Sequence, residues 1–290
     1  MKAYEKRDSI VEYHLRPENS KTRLSLLIDR PSSYYKHFLA PENEREHFKE
    51  SPSLRTGNAV HVMTLEFETF YDVYLIAPFK TRTGKGFRDL IRENPDKIVL
   101  SETEYDQVRR MSDALLSNPC SRAYLDLRGE PEKSFYFQRN GIWLKTRPDY
   151  ITSDSTFALD IKTTKDVGRR AFLRDSDSYK YPLSGAMMLN GVEAVRGIRP
   201  EAVVVLAVEN SGHKKPDVAV YYFNNDAIEY GEYMLDEAIE TLKQCQESNH
   251  WPAVSDKAEP LGIGSYHMKL LEKKREEFAA RHLEGVDYAS

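Results

Sequence analysis

The sequence contains little cysteine, and this scarcity excludes several kinds of site. Only Cys120 and Cys245 occur among the 290 residues, and they lie far apart in the chain. Two cysteines cannot hold an iron–sulfur cluster, which takes four thiolates, and no zinc-finger spacing is present. We therefore expect two reduced thiols of the kind found in cytosolic proteins.

Long apolar runs are also missing. No stretch approaches the roughly 20 residues that span a membrane, and the first eight residues lack the apolar core of a secretion signal. We expect a cytoplasmic protein with no membrane partner. A chain of 290 residues with 40% hydrophobic and 30% charged residues suits one large soluble domain or a domain with additions.

The chain has no excess of positive charge either. Its formal net charge is −4, which argues against a protein that coats nucleic acid uniformly. The value is compatible with basic residues on one surface and acids clustered elsewhere.

What is present divides the chain into three segments. Residues 1–20 are polar and predict a loosely ordered N-terminal segment. Residues 21–250 carry the periodic apolar patterns of a folded domain. Residues 251–290 predict a connector with proline and glycine followed by a terminal helix.

The first half of the folded domain reads as mainly helical. Residues 22–40 predict a helix that breaks or restarts at Pro31, and residues 58–70 predict another helix. A short extended piece at 72–77 and a basic loop at 78–85 follow. Ser101 with Glu104 forms a capping-box pattern ahead of a helix that reaches about residue 117.

The second half predicts a sheet. Residues 132–138, 142–151 and 156–162 read as three consecutive strands of a meander, and Asn140-Gly141 is typical of a hairpin turn. A helix over 168–190, a strand at 202–208 buried on both faces, a strand at 217–223 and a helix over 226–246 follow. This order predicts an α/β fold in which helices flank a central mixed β-sheet.

Two acids and a lysine stand out within these strands. Side chains of a strand repeat their direction every second residue, so Asp160 and Lys162 share a face. Asp149 ends the preceding strand, where a hairpin could bring it beside Asp160. Carboxylates hold hard divalent cations, and a lysine can orient water or offset charge on a phosphate. The alternative is an ordinary ion pair on a surface hairpin; the Pro148-Asp149 pair favours the metal site.

His61 is a further ligand candidate. It lies four residues after Gly57, so the two share one face of the predicted helix. A lone histidine is more often a hydrogen-bonded core residue, but neutral imidazole is a common metal ligand. Near the acid pair, His61 becomes a plausible third ligand.

These segments resemble a known family when they are taken in order. Gly57-x-x-x-His61, Lys145-x-Arg147-Pro148-Asp149 and Asp160-x-Lys162-Thr163-Thr164 look like the RecE-type, exodeoxyribonuclease VIII-like nucleases of the PD-(D/E)xK superfamily. Ser25 to Tyr35 resembles the opening helix and Pro-aromatic turn of that family, and Thr81 to Lys85 its basic glycine loop. The match spans roughly residues 20–250, so residues 21–250 would be the nuclease domain, with a restriction-endonuclease-like core.

The resemblance implies an activity and partners. Such nucleases digest linear double-stranded DNA from 5′ ends with Mg²⁺, for which Mn²⁺ could substitute, and leave 3′ single-stranded tails. They act as ring-shaped homo-oligomers, such as tetramers, beside a single-strand annealing protein of the RecT type in phage-type recombination. The cell would be a bacterium or a phage-infected bacterium.

The resemblance also assigns roles to residues. His61, Asp149 and Asp160 would bind the metal, with Glu132 as a further acid, and Lys162 would be the catalytic lysine beside Asp149 and Asp160. Expected DNA contacts are Arg55, Lys80, Arg82, Lys85, Arg88, Arg147, Tyr179, Tyr181 and Ser184. For the basic loop within this set, the alternative is a solvated surface loop.

One departure from the family concerns the helix after the catalytic strand. Relatives carry a Gln there and, four residues later, a Tyr, whereas the matching positions in this chain are Ser184 and Met188. Tyr179 and Tyr181 could supply an aromatic ring or a hydroxyl from one turn earlier.

Two other classes of function stay open at this point. A structure-specific DNA endonuclease of the same superfamily would share the metal site but would cut closed circles. A non-catalytic DNA-binding or assembly subunit would be expected to lack one of the four motif residues. All four are present, namely His61, Asp149, Asp160 and Lys162.

Overall fold

The computed structural model describes residues 2–210, 212–254, 258, 260–262 and 264–284. The chain divides into two compact units, Met1–Trp251 and Pro252–Ser290. The second unit contains one helix in its described residues. No helix in the described part of the chain is long and apolar enough to cross a membrane.

Strands and helices alternate along the first unit. The strands are β1 Tyr4–Lys6, β2 Tyr74–Ile76, β3 Ile98–Leu100, β4 Gly129–Pro131, β5 Ser134–Arg139, β6 Ile142–Thr146, β7 Tyr150–Thr152, β8 Phe157–Thr164, β9 Ala202–Glu209 and β10 Val218–Tyr222. The helices are α1 Ile10–Leu15, α2 Lys21–Asp29, α3 Pro31–Tyr34, α4 Pro52–Leu65, α5 Phe70–Val73, α6 Lys85–Glu93, α7 Glu102–Ser117, α8 Pro119–Leu125, α9 Arg169–Ser178, α10 Tyr181–Arg196, α11 Asn225–Ser248 and, in the second unit, α12 Ser265–Glu284.

A five-stranded mixed sheet forms the centre of the first unit. Its strand order is β10-β9-β8-β7-β4, with β8 and β9 parallel and the other neighbours antiparallel. Leu159 and Ile161 of β8 pack with α4 and α7 on one face, while Ala158 packs with α10 on the other. The predicted α/β fold with a mixed sheet between helices is confirmed.

The apolar strand β9 is buried on both faces, as its continuous run of β-branched residues predicts. Val203 through Val208 are each no more than 1% exposed. The Asn140-Gly141 turn is also confirmed, because φ is 50° and 80° at these two residues, as a two-residue hairpin of this type requires.

The predicted three-strand meander is wrong. Residues 142–151 form two strands. β6 pairs with β5, which also pairs with β1, in a separate three-stranded sheet, whereas β7 joins the central sheet. Pro148 lies between them, and a proline cannot donate a ladder hydrogen bond inside a strand. The chain therefore passes from one sheet to the other across Arg147-Pro148-Asp149.

The predicted helix over 168–190 is two helices. Lys180 adopts a left-handed conformation, with φ 52°, between α9 and α10. Pro182 explains the break, because proline is tolerated only in the first turn of a helix. As a result, Tyr179 and Tyr181 lie at a junction rather than along one helix face.

The N-terminal segment is ordered, contrary to the expectation for residues 1–20. β1 pairs with β5, and the ring of Tyr4 stacks on Tyr136 with centroids 4.8 Å apart. Ser9 and Glu12 form a capping box at the start of α1. The polar composition of this segment reflects caps and ion pairs and not a lack of structure.

The basic loop ends sooner than predicted and leads into a helix. Gly84, with φ 102°, precedes α6, which buries Phe87 and leaves Lys85 and Arg88 exposed. The capping box of Ser101 and Glu104 at the start of α7 is confirmed.

Candidate metal centre

Asp149 lies at the middle of the candidate site because the chain crosses between sheets there. Its backbone N–H donates to the carbonyl of Leu159 at 3.0 Å, and its Oδ2 accepts from the N–H of Ile161 at 2.6 Å. Both bonds join it to β8, so the carboxylate is held beside the Asp160–Lys162 strand. Asp149 is 9% exposed.

His61 reaches Asp149 from helix α4. The imidazole Nδ1 lies 3.3 Å from Asp149 Oδ1. Burial disfavours the imidazolium, but the Asp149 carboxylate outweighs this effect and raises the pKa of His61. Burial likewise disfavours the Asp149 carboxylate, while His61 and the N–H of Ile161 lower its pKa overall. The two groups are therefore mutually stabilised as an ion pair when no cation is bound.

Glu132 completes a compact group of potential ligands. One ligand atom each from His61, Glu132 and Asp149 lies within 4.8 Å of the other two. Glu132 has a positive φ of 53°, which is uncommon for a residue with a side chain. Burial, followed by the nearby Asp149 charge, raises the pKa of Glu132 to about 7. A bound cation would stabilise the charged form of the Glu132 carboxylate.

Arg147 lies against the same acid. Its Nε is 2.6 Å from Glu132 Oε2, and its Nη1 is buried without a hydrogen-bond partner. The guanidinium is therefore an internal counter-charge for Glu132. The expected role of Arg147 as a DNA contact stays a prediction.

Asp160 and Lys162 project from β8 beside this group. The ammonium of Lys162 contacts Asp160 Oδ1, while Asp160 Oδ2 is buried without a hydrogen-bond partner. Burial raises the pKa of Asp160. Burial has the opposite effect on Lys162, but Asp160 and Asp149 outweigh it and raise the pKa of Lys162. Lys162 is therefore an ammonium at neutral pH.

The arrangement differs from the expected ligand set in one respect. His61, Asp149 and Asp160 were the expected ligands with Glu132 as an addition, whereas the compact group in the described residues is His61, Glu132 and Asp149. Asp160 stands outside it and faces Lys162, with one carboxylate oxygen free.

These residues fit a divalent cation. Carboxylate oxygens are the ligands of Mg²⁺ and Mn²⁺, and neutral imidazole is a common metal ligand. The unpartnered oxygen of Asp160 is a buried acceptor for which the protein supplies no donor, and a cation is one partner that would satisfy it. The roles of the individual ligands stay predictions.

A second lysine lies near Lys162, and no sequence pattern predicts it. Lys21, the first residue of α2, donates from its Nζ to the carbonyl of Tyr179. Burial, followed by the charge of Lys162, lowers the pKa of Lys21 to about 8. No spacing rule connects residues 21 and 162, because their proximity depends on the packing of α2 against the α9–α10 junction.

Two arginines that were expected to contact DNA, one in α4 and one in the basic loop, make ion pairs within the protein. Arg55 is 6% exposed and pairs with Glu50 at 2.5 Å and Glu104 at 2.8 Å. The charge of Arg55 is therefore already paired within the protein, and its expected role as a DNA contact stays a prediction. Arg82 donates to the carbonyl of Val99 and lies 3.3 Å from Glu104. Lys80, Lys85 and Arg88 are exposed.

The residues after β8 that were expected to contact DNA differ in their exposure to solvent. Tyr179 is 59% exposed, whereas Tyr181 is 8% exposed and its ring lies 5.4 Å from Lys162 Nζ. Ser184 is half-buried on α10, and Met188 belongs to the core between α10 and the central sheet. Tyr181, the first residue of α10, is therefore the tyrosine of this pair that lies beside Lys162.

A protein-family model matches most of the chain. The model of a family described as a PDDEXK-like domain of unknown function (DUF3799) matches residues 32–262. No curated protein matches the chain in sequence.

One solved structure shares the fold. The crystal structure of a "putative exonuclease" from Eubacterium rectale superposes with a TM-score of 0.60 at 13% identity, covering 90% of this chain and 98% of that one. A second structure, described as SSO0001, covers 82% of this chain and 88% of its own at 12% identity, with a TM-score of 0.30. The family match extends over most of the chain and includes each of the three motifs. The chain therefore belongs to the PDDEXK-like family DUF3799, within the PD-(D/E)xK nuclease superfamily.

Proposed function

We propose that this chain is a Mg²⁺-dependent exonuclease that digests linear double-stranded DNA from 5′ to 3′ and leaves 3′ single-stranded tails. The observation that carries the proposal is the group of His61, Glu132 and Asp149, within 4.8 Å of one another, beside Asp160 and Lys162. Acids that hold a cation next to a protonated lysine are suited to hydrolysis of a phosphodiester.

The protein groups have separable tasks in this proposal. His61, Glu132, Asp149 and the free oxygen of Asp160 would hold the cation. When bound, the cation polarises the scissile phosphate and lowers the pKa of a water molecule. Lys162, kept protonated by Asp160 and Asp149, offsets the negative charge that develops on the phosphate and orients the attacking water. Asp149 keeps its orientation through the N–H of Ile161.

Other parts of the proposal come from the RecE-type resemblance. They are the polarity of digestion, the recombination role, the RecT-type annealing partner and the ring-shaped homo-oligomer in the cytoplasm. The E. rectale protein is named as an exonuclease, which supports an end-dependent activity.

Digestion of labelled duplexes tests the proposal. The substrates are linear duplexes that carry a 5′-phosphate or a 5′-hydroxyl, each labelled at one defined end, and a covalently closed circle of the same sequence. We expect Mg²⁺-dependent shortening of the linear strands from their 5′ ends and no cutting of the circle. Cutting of the circle would identify an endonuclease, and loss of the 3′-terminal label first would reverse the polarity.

A further inference from the structure

The junction between α9 and α10 carries an exposed aromatic ring close to the catalytic lysine. The rings of Tyr179 and Tyr181 stack with centroids 5.9 Å apart and an interplanar angle of 22°. Tyr181 in turn lies 5.4 Å from Lys162 Nζ. Tyr179 therefore extends the wall of the site outward from the lysine, and its own ring is 59% exposed.

The junction is held in place from both ends of α2. At the start of α2, Lys21 donates to the carbonyl of Tyr179. At its end, both carboxylate oxygens of Asp29 accept from Lys180 Nζ, at 2.6 and 2.7 Å. Tyr179 and Lys180 are thus each hydrogen-bonded to α2. An exposed ring on a fixed backbone loses little entropy when a flat ligand stacks on it.

Lys21 has unused capacity to bind an anion. Its ammonium makes one hydrogen bond, to the carbonyl of Tyr179, although an ammonium carries three donors. In the described part of the chain, no carboxylate lies within ion-pairing distance of it. Lys21 contacts the backbone of Tyr179, the ring of Tyr179 stacks on Tyr181, and Tyr181 lies 5.4 Å from Lys162 Nζ. Two cationic groups therefore lie on either side of the tyrosine pair, where an anion could contact them.

We propose that Tyr179, Lys21 and Lys162 form a nucleotide subsite beside the metal centre, in which a nucleobase stacks on Tyr179 and backbone phosphates contact the two ammonium groups. The inference rests on the proposed nuclease function and deepens it. An aromatic ring with adjacent cations is the arrangement that binds single-stranded nucleic acid with little sequence preference.

The subsite has a consequence for the substrate. A base that stacks on Tyr179 cannot remain stacked and paired within a duplex, so the strand being cut enters the site unpaired. Tyr181 has a different part, because it is buried beneath Tyr179 and against Lys162. It supports the exposed ring and does not itself contact a base.

Binding of DNA by matched variants tests the subsite. The probe is a duplex with a short unpaired 5′ end that carries 2-aminopurine at its terminal nucleotide, with Ca²⁺ in place of Mg²⁺ and intact probe verified after each titration. We expect Tyr179→Ala to bind about 5- to 100-fold more weakly, and to lose quenching of the 2-aminopurine. Tyr179→Phe should keep the binding affinity and the quenching within about twofold of the parent values, because stacking needs the ring and not the hydroxyl.

The control is Tyr222→Ala, which removes a 71% exposed tyrosine from the end of β10 and should bind as the parent does. Lys21→Met should reduce the dependence of log K on log salt by about one, and Lys21→Arg should restore it.

The possible failures are distinguishable. If the parent digests DNA and Tyr179→Ala binds and quenches as the parent does, the subsite is wrong and the proposed function stands. If the parent binds no DNA, the subsite and the proposed function are both wrong.

Discussion

At the scale of single residues, Glu132 connects the acid group to the rest of the protein. It adopts a left-handed backbone conformation, its N–H donates to the carbonyl of Asp149 at 3.0 Å, and its carboxylate meets Arg147. Strained conformations persist where the surrounding structure determines them, and they concentrate at functional sites. Arg147 then balances the acid while no cation is bound.

Glu132→Gln tests this residue. The amide keeps the size of the side chain but removes one charged ligand, so the dissociation constant for Mn²⁺ should rise about 10- to 100-fold. Isothermal titration calorimetry measures it. Glu130→Gln is the matched control, because Glu130 lies two residues away and pairs with Lys133 and Arg196 instead. Equal affinity in the parent and Glu132→Gln would remove Glu132 from the ligand set.

Asp8 is the second residue whose charge has a predictable effect. Its side chain is fully buried and accepts a hydrogen bond of 2.6 Å from the hydroxyl of Tyr136, and it pairs with Lys6 at 2.9 Å. Burial disfavours the carboxylate, but these partners outweigh it and lower the pKa of Asp8 to about 2. A carboxyl with a lower pKa in the folded state stabilises the protein above pH 4, and this contribution is lost as pH falls towards 2.

Asp8→Asn should therefore lower the free energy of unfolding by about 2 kcal/mol at neutral pH and reduce its fall between pH 4 and pH 2. Urea unfolding at a series of pH values measures both effects. Asp96→Asn, at an exposed acid, should leave the curve unchanged. A parent and an Asp8→Asn variant with the same stability at pH 7 would refute the assignment.

At the scale of elements, the close contact between α10 and α11 fixes the position of the α9–α10 junction. A Cβ placed on Gly231 of α11 would lie 2.1 Å from the carbonyl oxygen of Pro182 in the first turn of α10. Only glycine allows the two helices to approach this closely. The contact is one residue from Tyr181 and therefore affects the wall beside Lys162.

Gly231→Ala should lower the free energy of unfolding by about 1–3 kcal/mol, because backbone atoms must move to admit the methyl group. Gly57→Ala is the matched control in another helix. There a Cβ would lie 3.4 Å from Thr163 Oγ1, so stability should stay within about 1 kcal/mol of the parent or rise through helix propensity. Urea unfolding measures both variants, and equal stability of the two would contradict the close-contact account.

Local patterns predict some elements well and fail at others for physical reasons. The Asn140-Gly141 turn and the buried strand β9 depend on neighbouring residues alone, and both could be predicted. The division of residues 142–151 between two sheets depends on which strands they meet, although Pro148 was a signal for a break. The proximity of Lys21 to Lys162 has no local signal, since it results from tertiary packing.

The same distinction applies to the candidate site. Strand alternation predicts that Asp160 and Lys162 share a face, and they do contact each other. No spacing predicts that Glu132, rather than Asp160, joins His61 and Asp149 in one compact group. Arg55 carries the charge expected of a DNA contact, but only the structure shows that Glu50 and Glu104 already neutralise it.

At the scale of the whole molecule, a net charge of −4 and DNA binding are compatible if the basic residues are segregated. Helix α6 shows such segregation: Lys85, Arg88 and Arg92 are exposed at helical spacing, while Phe87 is buried. Residues three and four apart share one side of a helix. Arg92 pairs with Asp89 at 2.9 Å, and we propose that Lys85 and Arg88 contact a phosphate backbone.

The double variant Lys85→Ala, Arg88→Ala should weaken binding of duplex DNA and make it less dependent on salt. Each lost phosphate contact should reduce the slope of log K against log salt by about 0.9. Arg109→Ala combined with Arg122→Ala removes the same charge from α7 and α8 as a control. Fluorescence anisotropy over a range of salt concentrations gives the slopes, and equal slopes for both variants would exclude α6 from the DNA-binding surface.

The proposed activity requires that the residues around Asp149 and Asp160 form a metal-dependent hydrolytic site. The most direct measurement is the release of nucleotides from labelled linear duplex DNA by the parent and by Asp160→Asn, in Mg²⁺ and in excess chelator, with thermal unfolding of both proteins as the check on folding. We predict release by the parent in Mg²⁺ alone and a loss of at least about 100-fold in Asp160→Asn. Release by Asp160→Asn at the rate of the parent, or release unaffected by the chelator, would contradict the claim.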